Sequence, residues 1–149
     1  MRRSYFFLLL PVLLLNLYSC GEKPGSLRNL EDVVPEFTDR LNDATVSGNY
    51  TPLIRLFDEN ATLLLKTEFN PEVMNGRGEI EEYFLGYPKD TEFNTSDLQS
   101  SELTASAEYS YIQPNDKTGS GVWHFKLNNS GKIAEMTIVP AEELGEEEL

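Results

Sequence analysis

Apolar residues recur at helical spacing through the first part of the chain that follows its N-terminal leader. They are separated by three or four positions, as on one face of an amphipathic helix: Leu27, Leu30, Val34, Phe37, Leu41 and Ala44. Proline suits a first helical turn better than an interior position, so Pro35 predicts a main helix over residues 35–47, with Gly48 as its stop. Thr51 and Pro52 predict an N-cap and first position for a short helix through Leu56.

The second half of the chain changes to the pattern of β-strands. A β-prone apolar run covers residues 61–66, and a helical segment is predicted at 79–85. Strands are predicted at 93–99, 104–113, 122–127 and 132–139, because turn-forming clusters separate these runs. Residues 128–131 predict a hairpin turn between the last two strands. Helices followed by strands indicate an α+β domain, with helices packed on one face of an antiparallel sheet.

The N-terminus has the features of an export signal. Arg2 and Arg3 precede an apolar run at residues 5–17. As a helix this run is about 20 Å long, too short to cross a hydrocarbon core of about 30 Å. The sequence Leu17-Tyr18-Ser19-Cys20 resembles the lipobox of bacterial lipoproteins. That resemblance implies a signal peptide at 1–19 and a lipidated tether at 20–26, with the acylated Cys20 inserted in a lipid bilayer of the bacterial cell envelope. The alternative is a secreted protein with a chance cysteine.

Charge and composition exclude several classes of function. Lys and Arg number 12 and Asp and Glu 25, for a net charge of −13, so no nucleic-acid partner is expected. A single cysteine excludes an internal disulfide framework, and a single histidine excludes His-rich metal sites. We expect no metal and no cofactor. The glutamate-rich residues 141–149 are interpreted as a solvated acidic tail.

Several short stretches resemble SnoaL-like domains of the nuclear transport factor 2-like superfamily. The resemblance covers residues 27–140 and rests on five segments: 47–50, 53–61, 75–84, 121–125 and 131–136. It implies a cone-shaped, curved antiparallel sheet packed on N-terminal helices. The superfamily includes isomerases, cyclases, dehydratases, hydrolases and non-catalytic binding domains. Its enzymes generally use a carboxylate, a tyrosine or a histidine inside the cone, so the fold alone does not decide the activity.

Strand alternation predicts which side chains enter the cone, since successive residues face opposite sides of a sheet. The more apolar sets are assigned to the inner face: Ala105, Ala107, Tyr109 and Tyr111; Trp123, Phe125 and Leu127; Ala134, Met136 and Ile138. His124, Glu108 and Glu135 are then predicted on the outer face. Candidate residues lining an inner pocket are Tyr83, Tyr109, Tyr111, Trp123, Phe125 and Met136. Core packing is the alternative role for these aromatic residues.

Three hypotheses follow for the function. The first is a lipoprotein whose domain binds a small apolar ligand or an envelope partner without catalysis, and it assigns no catalytic residue. The second is a small isomerase or hydro-lyase in which His124 acts with Glu108 or Glu135. The third is a dimerising structural module, a homodimer that buries apolar residues predicted on the outer face: Ile112, Val122, Ile133 and Val139.

Overall fold

The apolar repeat forms one long helix. A computed structural model describes residues 30–143, and in it α1 (Leu30–Ser47) buries Val33, Val34, Phe37, Leu41 and Ala44. The helix begins at Leu30 rather than at Pro35, so it is longer than predicted and Pro35 lies inside it. Proline has a helical φ and removes only its own N–H, so one turn of helix can precede it here. Gly48 ends the helix with φ 76°, and its N–H bonds the carbonyl of Ala44 at 2.8 Å.

The remaining elements follow in the predicted order except for β2, a short strand that the pattern does not predict, and helices precede most strands, which confirms the α+β class. They are α2 (Thr51–Ile54), β1 (Phe57–Leu65), β2 (Glu72–Asn75), α3 (Gly76–Leu85), β3 (Glu92–Ser101), β4 (Thr104–Ile112), β5 (Thr118–Leu127), β6 (Ile133–Pro140) and a final 3-10 turn (Ala141–Glu143). The predicted signal peptide, Cys20 and the part of the predicted tail beyond Glu143 lie outside the described residues. No helix among residues 30–143 is long and apolar enough to cross a membrane.

All six strands belong to one sheet, in the order β2-β1-β6-β5-β4-β3. Strands β3 to β6 form an antiparallel meander, and β2 is also antiparallel to β1. Strands β1 and β6 are parallel, so the sheet is mixed rather than wholly antiparallel. The parallel pair arises because the chain returns to β1 only after passing through β2, α3 and the meander. α1 packs on β3 and β4, and α3 packs on β1 and β2.

Aromatic side chains fill the space between the sheet and the helices. Phe37 is completely buried, and its ring makes edge contacts with four others: Phe57, Phe84, Trp123 and Phe125. The buried polar side chains among residues 30–143 are three threonines, Thr38, Thr45 and Thr91, and each hydroxyl donates to a backbone carbonyl. This part of the interior is therefore a packed core rather than a binding site.

A β-bulge overturns the strand alternation predicted for the start of β6. Lys126 pairs with Glu135, but the next residue, Leu127, pairs with Ile133, so Ala134 is one residue extra. The bulge returns Ile133 to the inner face, where it is 1% exposed within the core. The prediction that Ile133 lies on the outer face is therefore wrong.

Candidate functional site

A cavity of about 820 Å³ opens at one end of the sheet. Its walls come from the end of β1, the end of α3, the β4–β5 hairpin, and the segment in which β6 passes into the 3-10 turn. Four tyrosines contribute to the wall: Tyr83, Tyr87, Tyr109 and Tyr111. Leu65, Ile112 and Pro140 supply apolar surface beside them. The cavity therefore presents aromatic faces together with phenolic hydroxyls.

Two of the tyrosines come from α3 and the turn that follows it. Tyr83 and Tyr87 are four residues apart, a spacing that places two side chains on the same side of a helix. Tyr87 lies just beyond α3, but the turn there continues the helical path, because the N–H of Tyr87 donates to the carbonyl of Phe84. Their hydroxyl oxygens are 3.3 Å apart, so one donates to the other. The second hydrogen of the pair is then left for a ligand or water.

The other two tyrosines alternate along β4 and lie over glycines of β5. The strand register pairs Tyr109 with Gly121 and Tyr111 with Gly119. A Cβ added to Gly119 would overlap the ring of Tyr111. The missing side chains thus leave room for the two rings on the inner face, a cross-strand arrangement in which an aromatic residue covers a glycine. The ring of Tyr109 also stacks on that of Trp123, with centroids 4.7 Å apart.

Burial raises the pKa of three of the four phenols in the cavity. It raises the pKa of Tyr83 far above its ordinary value, with a smaller contribution from the neighbouring Tyr87. Burial also raises the pKa of Tyr109, and the nearby Tyr87, Tyr111 and Glu142 act in the same direction. For Tyr87 burial raises the pKa while the hydrogen bond from Tyr83 opposes it. These hydroxyls are neutral hydrogen-bond donors at physiological pH and poor proton acceptors.

The charged residues of the cavity lie at its rim. Lys117, on the β4–β5 hairpin, and Glu142, in the 3-10 turn, are the charged side chains that line it among the described residues, and both are exposed. Neither forms an ion pair within residues 30–143. The lining inside the rim therefore offers neutral donors and apolar surface.

The sequence predicts three of the four tyrosines of the cavity and misses the fourth. Tyr83, Tyr109 and Tyr111 line the cavity, whereas Trp123, Phe125 and Met136 are at most 2% exposed in the packed core. The missed residue is Tyr87. Its spacing of four from Tyr83 is a usable signal, but Gly86 and Pro88 mark the end of a helix and hide that relation.

His124 is exposed on the outer face of the sheet, as strand alternation predicts. Glu108 and Glu135 share that face, but each pairs in register with a neighbour of His124 two positions away, Val122 and Lys126 respectively. The carboxylate of Glu135 accepts a hydrogen bond from Lys126 Nζ at 2.6 Å. Within residues 30–143 no carboxylate forms an ion pair with His124, and no cluster of His, Cys, Asp or Glu could hold a metal ion.

Comparisons with known proteins relate the fold to solved structures. No protein-family description matches the sequence, and no curated protein matches it either. A Methylobium petroleophilum protein of unknown function with a cystatin-like fold matches with a TM-score of 0.66 at 18% identity, over 83% of each chain. An NTF2-like protein of unknown function from Exiguobacterium matches with a TM-score of 0.59 at 15% identity, over 74% of this chain and 98% of that one.

An enzyme is also among the similar structures. The epoxide hydrolase/cyclase-like enzyme of pyran ring formation in the polyether salinomycin matches with a TM-score of 0.58 at 20% identity, over 74% of this chain and 89% of that one. Identities this low establish a common fold and carry no activity from one chain to the other. Helices packed inside a six-stranded curved sheet, with a cavity at one end, give this chain the nuclear transport factor 2-like fold.

Proposed function

We propose that the protein is a lipid-anchored lipoprotein of the bacterial cell envelope whose domain binds a small, largely apolar ligand without catalysing a reaction on it. The observation that carries the binding function is the tyrosine-lined cavity. Its volume of about 820 Å³ lies within the range of about 300–1,000 Å³ that is usual for small-molecule sites.

The lining indicates the chemistry of the ligand. Rings of Tyr87, Tyr109 and Tyr111 favour a flat or apolar body, which stacks on them or meets their edges. Burial raises the pKa of Tyr87 and Tyr109, so their hydroxyls are protonated donors, and a ligand with one or more acceptor oxygens would satisfy them. A mainly apolar molecule with a carbonyl, ether or hydroxyl oxygen fits both requirements.

The protonation state of the tyrosines argues against a role as general base. A general base has to accept a proton near neutral pH, and burial moves the pKa of Tyr83 and Tyr109 in the opposite direction. His124, the base considered in the sequence analysis, lies on the other face of the sheet from the cavity, and the carboxylate that lines the cavity, Glu142, is exposed at its rim. A ligand in the cavity would therefore have no contact with the imidazole.

The binding function is testable with the neutral fluorescent probe N-phenyl-1-naphthylamine. Trp123 is the single tryptophan of the chain and stacks on Tyr109 of the cavity wall, so its emission can reach a probe bound there. We expect saturable probe fluorescence on excitation of Trp123. Tyr111→Ala should weaken binding by about tenfold, the effect of losing part of an aromatic contact and one hydrogen bond. Tyr111 is suited to truncation because it is only partly buried.

A matched control distinguishes binding of the probe in the cavity from binding to exposed apolar surface elsewhere. Phe69 is 88% exposed and does not line the cavity, so Phe69→Ala should bind the probe as the unchanged protein does. Probe binding that is equal in the two variants, or that shows no energy transfer from Trp123, would place the probe elsewhere and remove the basis for the proposed ligand function.

The proposed anchor rests on the sequence of the N-terminal segment. The charged start, the apolar run of thirteen residues and the only cysteine of the chain occur together, at the spacing of a lipoprotein signal. Acylation of the Cys20 thiol and of the new N-terminus would supply several acyl chains, and two or more are enough for stable membrane attachment.

Replacement of Cys20 tests the anchor directly. In a bacterial host fed a tagged fatty acid, Cys20→Ala should lose all acyl label and should accumulate in the unprocessed form, because the thiol is the site of lipid transfer. Ser19→Ala, a change of similar size one residue earlier, should keep the label. Label and membrane fractionation are measured together. An unlabelled protein with Cys20 intact would indicate simple secretion instead.

A further inference from the structure

A row of polar side chains crosses the outer face of the sheet, opposite the aromatic core. The register pairs Gln99 with Ser106, Ser106 with His124, and His124 with Thr137, so the row runs over β3, β4, β5 and β6. With neighbouring strands about 4.8 Å apart, its length is about 14 Å. Within residues 30–143 none of these four side chains has a hydrogen-bond partner in the protein.

A second polar row lies beside the first, two residues further along each strand. The register aligns Ser101 with Thr104, Thr104 with Lys126, and Lys126 with Glu135. Lys126 and Glu135 neutralise each other through the 2.6 Å contact of Nζ with a carboxylate oxygen. The two rows together therefore present hydroxyl, amide and imidazole groups with little net charge.

Open clefts lie on this polar surface. A cleft of about 420 Å³ covers both rows. A second cleft of about 260 Å³ shares Gln99, Ser106 and His124 with it and continues toward Glu108. The outer face of an antiparallel sheet is ordinarily polar, so polarity alone indicates only contact with water. The feature specific to this face is that the two clefts coincide with the first polar row and share three of its members, Gln99, Ser106 and His124.

A β-bulge in the edge strand lies at the border of both clefts. The pairing of β3 with β4 skips between Ser96 and Gln99, and Asp97 has a left-handed φ of 48°. Bulges bend the strand that contains them and redirect its side chains, and they are common beside functional sites. Here the bulge falls immediately before Gln99, the first member of the polar row.

We propose that this outer cleft, centred on His124, is a second binding site and that its ligand is a short, neutral oligosaccharide. Hydroxyl, amide and imidazole groups can both donate and accept hydrogen bonds, as the hydroxyls of a sugar do. The net charge of −13 disfavours an anionic ligand. The site does not depend on the tyrosine cavity, which lies on the inner side of the same strands.

The arrangement suits an extended ligand better than a single small molecule. The row extends over four strands, about the length of a short chain of sugar rings, and strands hold their side chains at fixed intervals. Each position offers only one or two hydrogen bonds, so affinity depends on several contacts made at once. We therefore expect trisaccharides to bind more tightly than the corresponding monosaccharides.

The single histidine makes the test specific. With isotope-labelled histidine the chain gives one set of imidazole NMR signals, those of His124. We expect these signals to shift and to saturate at millimolar concentration of at least one of three probes: triacetylchitotriose, maltotriose and cellotriose. Gln99→Ala should weaken that binding by about fivefold to tenfold, the effect of losing one or two hydrogen bonds.

The control is another amide on the same strand. Asn94 also faces outward on β3, opposite Ser110, but lines neither cleft, so Asn94→Ala should leave the titration unchanged. The proposal is overturned if none of the three trisaccharides shifts the His124 signals, or if Gln99→Ala responds as the unchanged chain does. Shifts that follow protein concentration without sugar would also overturn it, because they would show that a second copy of the chain covers this face.

Discussion

Replacing Phe37 with alanine is expected to lower the free energy of unfolding by about 3–5 kcal/mol, the usual cost of emptying a large aromatic position in a core. Phe37 is completely buried, and four other aromatic rings surround it at centroid distances between 5.1 and 6.1 Å. Neither the helix nor the sheet can move inward to fill the space without losing these contacts. Since a domain of this size has about 5–15 kcal/mol in total, the variant should be close to unfolding at 37 °C.

Urea titration followed by the emission of Trp123 measures this effect. The indole ring contacts Phe37 directly, with centroids 5.1 Å apart, so its signal reports on the affected region. The matched control is Phe69→Ala, which removes a phenylalanine that is 88% exposed and should change stability by less than about 0.5 kcal/mol. Equal effects at the two positions would contradict the described core.

The main helix is the element that the sequence specifies most fully. Only one side of α1 is buried, so its core residues repeat at helical spacing and can be read without knowing what they contact. Its first turn is different. A local rule places proline at the first turn of a helix, but packing of Val33 and Val34 in the core favours a helix that begins earlier and tolerates Pro35 inside it. Tertiary burial outweighs the local preference there.

The sequence predicts most of the individual strands, but it does not predict how all of them pair in the sheet. Alternation assigns most side chains of β4 and β5 to the correct face, because those strands are regular over their whole length. The parallel pairing of β1 with β6 and the bulge at Ala134 depend on contacts between distant parts of the chain. Strand β2 has only four residues, none of them fully buried, and so carries no periodic signal.

In the cavity, too, some residues follow from local alternation and others depend on contacts between distant parts of the chain. Tyr109 and Tyr111 were accessible to prediction through strand alternation. The role of Gly119 requires knowing that it lies directly opposite Tyr111, which only the register provides. Tyr87 lies beyond the end of α3, and only the turn after that helix brings its hydroxyl to that of Tyr83. Local sequence thus supplies the residue types of the cavity, and the fold supplies their arrangement.

Strands β4 and β5 contribute to both candidate sites by simple alternation. Tyr109 and Tyr111 of β4 face the cavity, while Ser106 of the same strand faces the outer cleft. In β5 the glycines that make room for the tyrosines precede His124, which faces outward. A substitution at one site therefore need not disturb the other, and the two binding functions can be tested independently.

Gly121→Ala is expected to cost at least about 3 kcal/mol of folding free energy, the upper range for forcing a group into a packed interior. A methyl group at this position would overlap the backbone carbonyl oxygen of Val139 and crowd the Cα of Pro140. Both atoms belong to the paired strand β6, so relief requires the strands to separate rather than a side chain to rotate. The ring of Tyr109, which covers the same glycine, would also be displaced.

Gly78→Ala provides a control with the opposite expected sign. Gly78 lies inside α3, and a Cβ there would have no atom within 4 Å. Alanine restricts the unfolded chain and favours helix, so this variant should gain about 0.5–1 kcal/mol. Urea titration of both variants compares the same chemical change at two backbone positions. If Gly121→Ala were as stable as Gly78→Ala, the close approach of β5 to β6 would be disproved, and with it the packing that orients Tyr109 at the cavity wall.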